Sequence, residues 1–388
     1  CRRAFVNLVD LAIDEKVAFV LLAGDLYDGD WKDYSTGIFF SRQMGRLGRH
    51  GIRVFAVAGN HDAANRMTRA LESPANVTIF STSRAETVRL DELAVAIHGR
   101  SFSGRHVEEN LAAGFAGAVK NLFNIGLLHT SLDGREGHAV YAPCSVDDLY
   151  ARGYHYWALG HVHRQEVVSR DPWVVFPGCI QGRHIRETGA KGCVLVTVDD
   201  GVVRRVRPVS LDVLRWQHCV VDLSDAQEVH EVLERFRQVI DRARAAAEDR
   251  PVALRLTLNG ATPLADQLAA YPERLEQQLK ALAAEIAGDE LWLERVENRT
   301  VGRIAVPAAL AEESPFARLL QEIAATPENL GEIARLQERL ADLRQKLPVE
   351  ALGPDSGLNL DDQQTVHRLV TEATHLLVGR LLTVGGGQ

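Results

Sequence analysis

The chain is poor in cysteine: Cys1, Cys144, Cys179, Cys193 and Cys219 are scattered along 388 residues with no CxxC pair. So sparse a set argues against a disulfide framework and for reduced structural thiols, hence a cytoplasmic location. No apolar run approaches the roughly 20 residues of a membrane span, so no membrane association is expected. There is no secretory signal, and residue 1 is Cys rather than Met, so a processed or truncated start is expected. An excess of positive charge is missing too. Residues 1–200 carry 22 Lys and Arg against 23 Asp and Glu, and the remainder 22 against 29, for a net charge of −8. That balance gives no support for a broad nucleic-acid footprint, and any such contact would use a local patch in the first half. Finally, none of the 14 histidines has an aspartate two residues before it.

What is present is an ordinary globular composition, 46% hydrophobic and 25% charged, long enough for two or three domains. Residues 1–210 alternate helical and strand patterns. Arg2 to Ile13 reads as an amphipathic helix, and Val17–Ala23 and Ile52–Ala58 read as buried strands around a helix from Ser35 to Leu47. Parallel strands joined by crossovers follow from that order. A more β-rich stretch comes next, with Thr87–Leu90 and Leu93–His98 as a hairpin. Phe123–His129 and Tyr156–Gly160 are strands, and Cys193–Val198 pairs with Val202–Val206 across the turn dipeptide Asp200-Gly201. The expected fold class is α/β, a two-layer mixed β-sandwich flanked by helices. Residues 211–300 read β-α-β-α-β, a small α+β capping domain, with Ser224 as N-cap of its first helix. Residues 301–388 read as helical. There Ile333, Leu336, Leu340, Leu343 and Leu347 make a stripe suited to a local hairpin or to docking a partner's helix.

The chemistry sits where strands end. Gly24-Asp25-Leu26-Tyr27-Asp28, Gly59-Asn60-His61-Asp62, His129, and Gly160-His161-Val162-His163 each follow a strand-like run. Carboxylate, amide oxygen and imidazole groups gathered there are the donor set of a two-metal hydrolytic site. Taken singly they are weak. Gly-Asp is a common turn, and a lone His129 is as readily a structural histidine. GNHD after a buried strand is stronger, because open α/β sheets bind ligands at strand ends. An extended H-x-H would put the rings of His161 and His163 on one side. His98 reads as structural.

In this order and context the motifs resemble the calcineurin-like metallophosphoesterases. They are most similar to the SbcD-like DNA repair exonucleases of the YhaO type, with LAGDLYD at 22–28, AGNHD at 58–62, LLHTS at 127–131, YWALGHVH at 156–163 and FPG at 176–178. The resemblance covers residues 1–210. It implies a metal-dependent phosphodiesterase acting on DNA, with Asp25 bridging two divalent ions. Asn60, His129 and His161 would complete one ion and His163 would bind the other. His61 would be the general acid, oriented by Asp62. Manganese suits the ligand set, with magnesium, iron or zinc as alternatives. Tyr27 and Asp28 would support the ligands. The resemblance also implies an SMC-like ATPase partner and a homodimer. Arg66, Arg183 and Arg186 are candidate phosphate contacts, as is Arg69. The family's Asp-x-His motif has no counterpart here, so the expectation is a chain truncated at its start and impaired in activity. Two other functions stay open: hydrolysis of a non-DNA phosphoester, and a non-catalytic scaffold subunit of the ATPase complex.

Overall fold

A computed structural model describes residues 1–26, 35–64, 74–133 and 141–302, together with scattered positions between 318 and 377. The chain forms two compact units: residues 1–183 with 189–213, and residues 184–188 with 214–388. The leucine stripe of the last segment lies mostly outside the described residues.

In the first unit, helix α1 (Arg2–Asp14) leads to strand β1 (Phe19–Leu22), helix α2 (Ser35–Arg49) and strand β2 (Arg53–Ala56). A short helix α3 (Asn60–Ala64) follows, then β3 (Val77–Ile79). β1, β2 and β3 form a parallel sheet in that order. Its outer face is covered by the apolar stripes of α1 and α2, where Val9, Ala12, Met44 and Leu47 bury against Leu22, Val54 and Ala56. Burying those stripes, rather than helix propensity, is what fixes both helices.

The second sheet has six strands. β4 (Glu86–Leu90) and β5 (Val95–Arg100) pair antiparallel, joined by a 3₁₀ turn at Asp91–Leu93 that closes on Ala94 in the left-handed region. β6 (Phe123–His129) and β7 (Tyr156–Gly160) add in parallel, and between them Ser145 caps α4 (Val146–Tyr150). β8 (Glu166–Arg170) and β9 (Trp173–Phe176) complete the order β4-β5-β6-β7-β9-β8. β6 is buried at every position, which a strand central to a covered sheet requires. The two sheets meet through Phe55, Val57 and Phe80 on one side and Ile97, Ile125, Leu127, Tyr156 and Val175 on the other. The outer face of the larger sheet buries Leu111, Phe115, Leu149, Trp157 and Phe176. A hairpin, β10 (Gly192–Asp199) with β11 (Val202–Ser210), ends the unit. This is the two-layer mixed sandwich flanked by helices that the pattern predicts.

In the second unit, β12 (Arg215–Asp222), β13 (Val252–Thr262) and β14 (Leu291–Gly302) form a parallel sheet. Helices α5 (Val229–Ala247), α6 (Ala265–Ala270) and α7 (Pro272–Ala287) supply Phe236, Val239, Ile240, Leu268, Leu275 and Leu279 to its core. Ser224 does not cap α5. It hydrogen-bonds the Asp222 carboxylate in a turn, and the cap is Glu228, with Glu231 reaching back to the amides of Gln227 and Glu228. A serine beside an aspartate finds a local acceptor, which competes with capping a helix that starts further on.

Candidate metal centre

Four strand ends converge within the first unit. Past β1 the chain turns at Gly24 (φ +97°), which presents Asp25, itself at φ +52°. Beyond β2, Gly59 leads into α3, so Asn60 and His61 sit in a helical turn rather than the expected loop. His129 is the last residue of β6 and wholly buried. Just past β7 comes His161, at φ +98°. Left-handed backbone at two non-glycine residues of one cluster is the sort of strain that collects at functional sites.

Metal-ligating atoms of Asp25, His129 and His161 all lie within 4.8 Å of one another. Asn60 Oδ1 is 3.0 Å from His129 Nε2, and Asp25 Oδ2 is 3.4 Å from the same nitrogen. The other ring nitrogen, Nδ1, lies 2.8 Å from the Ala23 carbonyl. A carbonyl only accepts, so Nδ1 carries the proton and Nε2 faces the two oxygens. Oxygen and nitrogen donors aimed at one point fit a divalent cation. With no ion between them, the carboxylate and the imidazole pair with each other. Burial pushes the Asp25 carboxyl up, but its bond to His129 and that residue's charge outweigh this and hold it below the usual carboxylate range. For His129, burial pulls the imidazole down, while the Asp25 bond and charge carry it above the ordinary histidine value.

The packing around His129 is too close for side chains. A Cβ at Gly24 would come within 2.5 Å of His129 Nδ1, and one at Gly160 would overlap the Ala23 carbonyl oxygen. Both positions need glycine for the backbones to close on the imidazole. Phe102 meets the His129 ring edge-on at 5.2 Å.

Asp62 is buried, and its Oδ2 accepts the amides of Gly59 at 3.0 Å and Leu26 at 3.2 Å. It thereby ties the β1 and β2 loops together. Burial, reinforced by the charge of Asp25, pushes its carboxyl up to about 6 against the pull of those amides. The His61 amide donates to Asp25 Oδ1 at 3.0 Å, so α3 holds the carboxylate by its backbone.

His163 lies outside the three-residue metal cluster. The chain turns at His161, which adopts positive φ. Arg183 and Arg186 are exposed, and Arg186 belongs to the second unit. Arg66, Arg69, Tyr27 and Asp28 lie outside the described residues. His98 is structural: buried in β5, it hydrogen-bonds Thr87 and Asn124 and stacks on Tyr154 at 4.2 Å.

The family profile of the calcineurin-like phosphoesterases matches residues 1–165, the stretch that contains all of these candidate ligands. The uncharacterized metallophosphoesterase YhaO of Bacillus subtilis is 36% identical over 301 residues, 76% of this chain and 72% of that protein. The chain belongs to the calcineurin-like metallophosphoesterases. These metallophosphoesterases are hydrolases of phosphoester bonds that use divalent metals. A second profile, the middle domain of metallophosphoesterase YhaO, matches residues 216–301. More distant similarity is to two DNA double-strand break repair proteins named Mre11. That of Sulfurisphaera tokodaii is 25% identical over 249 residues, 61% of this metallophosphoesterase and 62% of the relative. That of Sulfolobus acidocaldarius is 22% identical over 281 residues, 67% and 69% respectively. Among the described residues no helix is long and apolar enough to cross a membrane.

Proposed function

We propose that this metallophosphoesterase hydrolyses phosphodiester bonds of DNA, with manganese as its metal and an SMC-like ATPase as its partner in the cytoplasm. The observation that carries the reading is the convergence of Asp25, Asn60, His129 and His161. The names of the two Mre11 relatives, whose similarity runs beyond the 165-residue phosphoesterase match, support DNA as the substrate.

Asp25, Asn60, His129 and His161 would hold one cation, and Asp25 would be shared with a second. When bound, such cations offset the negative charge that builds on the phosphoryl group and its attacking and leaving oxygens. The chain's own part is to fix these donors before substrate arrives. Ala23 sets the His129 tautomer, Asp62 locks two ligand loops, and the His61 amide orients Asp25. The His61 imidazole, one residue from Asn60, is the proposed proton donor to the leaving oxygen, and His163 the proposed ligand of the second ion. Arg183 and Arg186 are proposed phosphate contacts, and a homodimer is the proposed assembly.

The test is cleavage of single- and double-stranded DNA against a small phosphodiester, each with added Mn²⁺, by the chain extended at its start with a strand that supplies Asp-x-His. Cleavage of the small diester without cleavage of DNA would overturn the nuclease reading. A chain that binds one ion and cleaves neither would favour a scaffold.

A further inference from the structure

Four aromatic rings run outward from the metal cluster. His129 is wholly buried, and its ring centre lies 5.3 Å from that of His161. The Tyr141 ring stands perpendicular to His161 at 5.4 Å. His106 follows at 5.4 Å from Tyr141, tilted by 42°, and is exposed. A phosphoester held at the ligand atoms must lay its organic substituents along whatever surrounds them, and on this side the surroundings are planar rings.

The rings are held in place from the backbone. Tyr141 exchanges hydrogen bonds with Ser131, two residues past His129: its carbonyl accepts the Ser131 amide at 2.9 Å, and its amide donates to Ser131 Oγ at 3.3 Å. The next residue, Ala142, donates to the Val107 carbonyl at 2.6 Å and accepts from the Thr130 hydroxyl at 2.7 Å. Ala142 sits at φ +41° with its side chain fully buried, so the chain stores strain beside Tyr141. One link ties Tyr141 to the His129 loop and the other ties it to the segment of His106. Packing alone does not explain a tyrosine here. The ring rests against the outer core cluster, which a phenylalanine would serve equally, and the hydroxyl bonds no described residue and is not sealed from solvent.

We propose that Tyr141 and His106 form a stacking rim of the metal site, which takes the nucleobase next to the phosphate being cleaved. Aromatic side chains bind bases of any sequence through their faces, and a base must be unstacked to reach such a rim, so the occupant is single-stranded or frayed nucleic acid. The inference rests on the nucleic-acid reading above.

The test is fluorescence anisotropy with Mn²⁺ and two labelled phosphorothioate strands of equal length and charge, one with bases and one abasic. The intact chain is expected to bind the base-bearing strand more tightly. Tyr141→Leu should weaken that binding about 5- to 150-fold, the range seen when a stacking aromatic is removed, and leave the abasic strand unchanged. Tyr141→Phe should keep the preference. His106→Ala, at an exposed position that leaves the core intact, should lower it as well. Equal binding of both strands by the intact chain, or a preference that survives both Tyr141→Leu and His106→Ala, overturns the rim but leaves the nucleic-acid reading standing. Binding of neither strand overturns both.

Discussion

The Nδ1 of His129 lies 2.8 Å from the carbonyl of Ala23, a residue 106 positions earlier in the chain. That one bond turns the other imidazole nitrogen toward Asp25 and Asn60, and it ties the residue just past β1 to the ring through main chain alone.

Divalent metal should therefore stabilise the folded chain. At a concentration one hundred times its dissociation constant, Mn²⁺ is expected to add about 2.7 kcal/mol, seen as a rise in melting temperature. Asp25→Ala and His161→Ala should each abolish the rise, since each removes a donor from the cluster. A rise of full size in either variant would show that the ion binds elsewhere.

Gly160→Ala adds a single methyl group, yet it would collide with the Ala23 carbonyl and come within 2.8 Å of His129 Nδ1. Neither is the flexible end of a side chain, so the strands must part. A loss of about 1–3 kcal/mol in stability is expected, along with weakened metal binding, both measurable by denaturant titration with and without Mn²⁺.

Asp62 binds two backbone amides, so its removal tests how far ligand loops need a clasp. Asp62→Ala should cost about 10- to 100-fold in metal affinity, as loss of outer partners does in metal sites, by calorimetric titration. His61→Ala, whose backbone amide remains to hold Asp25, should leave metal affinity near that of the intact chain.

In the second unit Arg255 grips Glu294 through two bonds of 2.8 Å, with Glu297 at 3.6 Å. The Arg255 bond and charge hold the Glu294 carboxyl below its ordinary range. A depressed carboxyl stabilises the fold at pH above its unfolded value, about 4.3, and that contribution fades as pH falls through the lower folded value. Arg255→Ala should cost about 1–2 kcal/mol at pH 7 and flatten the acid limb of a stability–pH profile.

Thiol labelling should be sharply selective. Burial pushes Cys144 and Cys193 up to about 11, while Cys1 is exposed. At pH 8 an alkylating reagent should modify Cys1 first, with Cys144 and Cys193 slower by about 100-fold, because the thiolate is the reacting form. Mass spectrometry of a time course reads this directly.

Asp25, Asn60, His129 and His161 were legible in the sequence because each stands at the end of an apolar run, and a strand end is a place one can count to. The two sheets were legible for the same reason. What the sequence hid is mostly main chain. The Ala23 carbonyl has no signature, and neither do the glycines that let β1 and β7 close on His129, since a glycine after a strand reads as a turn. Ser224 misled because Asp222 was the nearer partner. Tyr141 carried no signal at all: it is placed by hydrogen bonds to Ser131 and by its neighbour's bond to Val107.

The proposed ligands are drawn from positions 25, 60, 129 and 161, at or just past the ends of strands from two different sheets. Such a centre cannot exist in a partly made chain. During synthesis the last of these ligands emerges only after β7, and contacts this far apart in sequence form late because long loops must close first. Tight metal capture at the proposed centre would thus report completion of the sandwich, since a nascent or misfolded chain offers its histidines only singly.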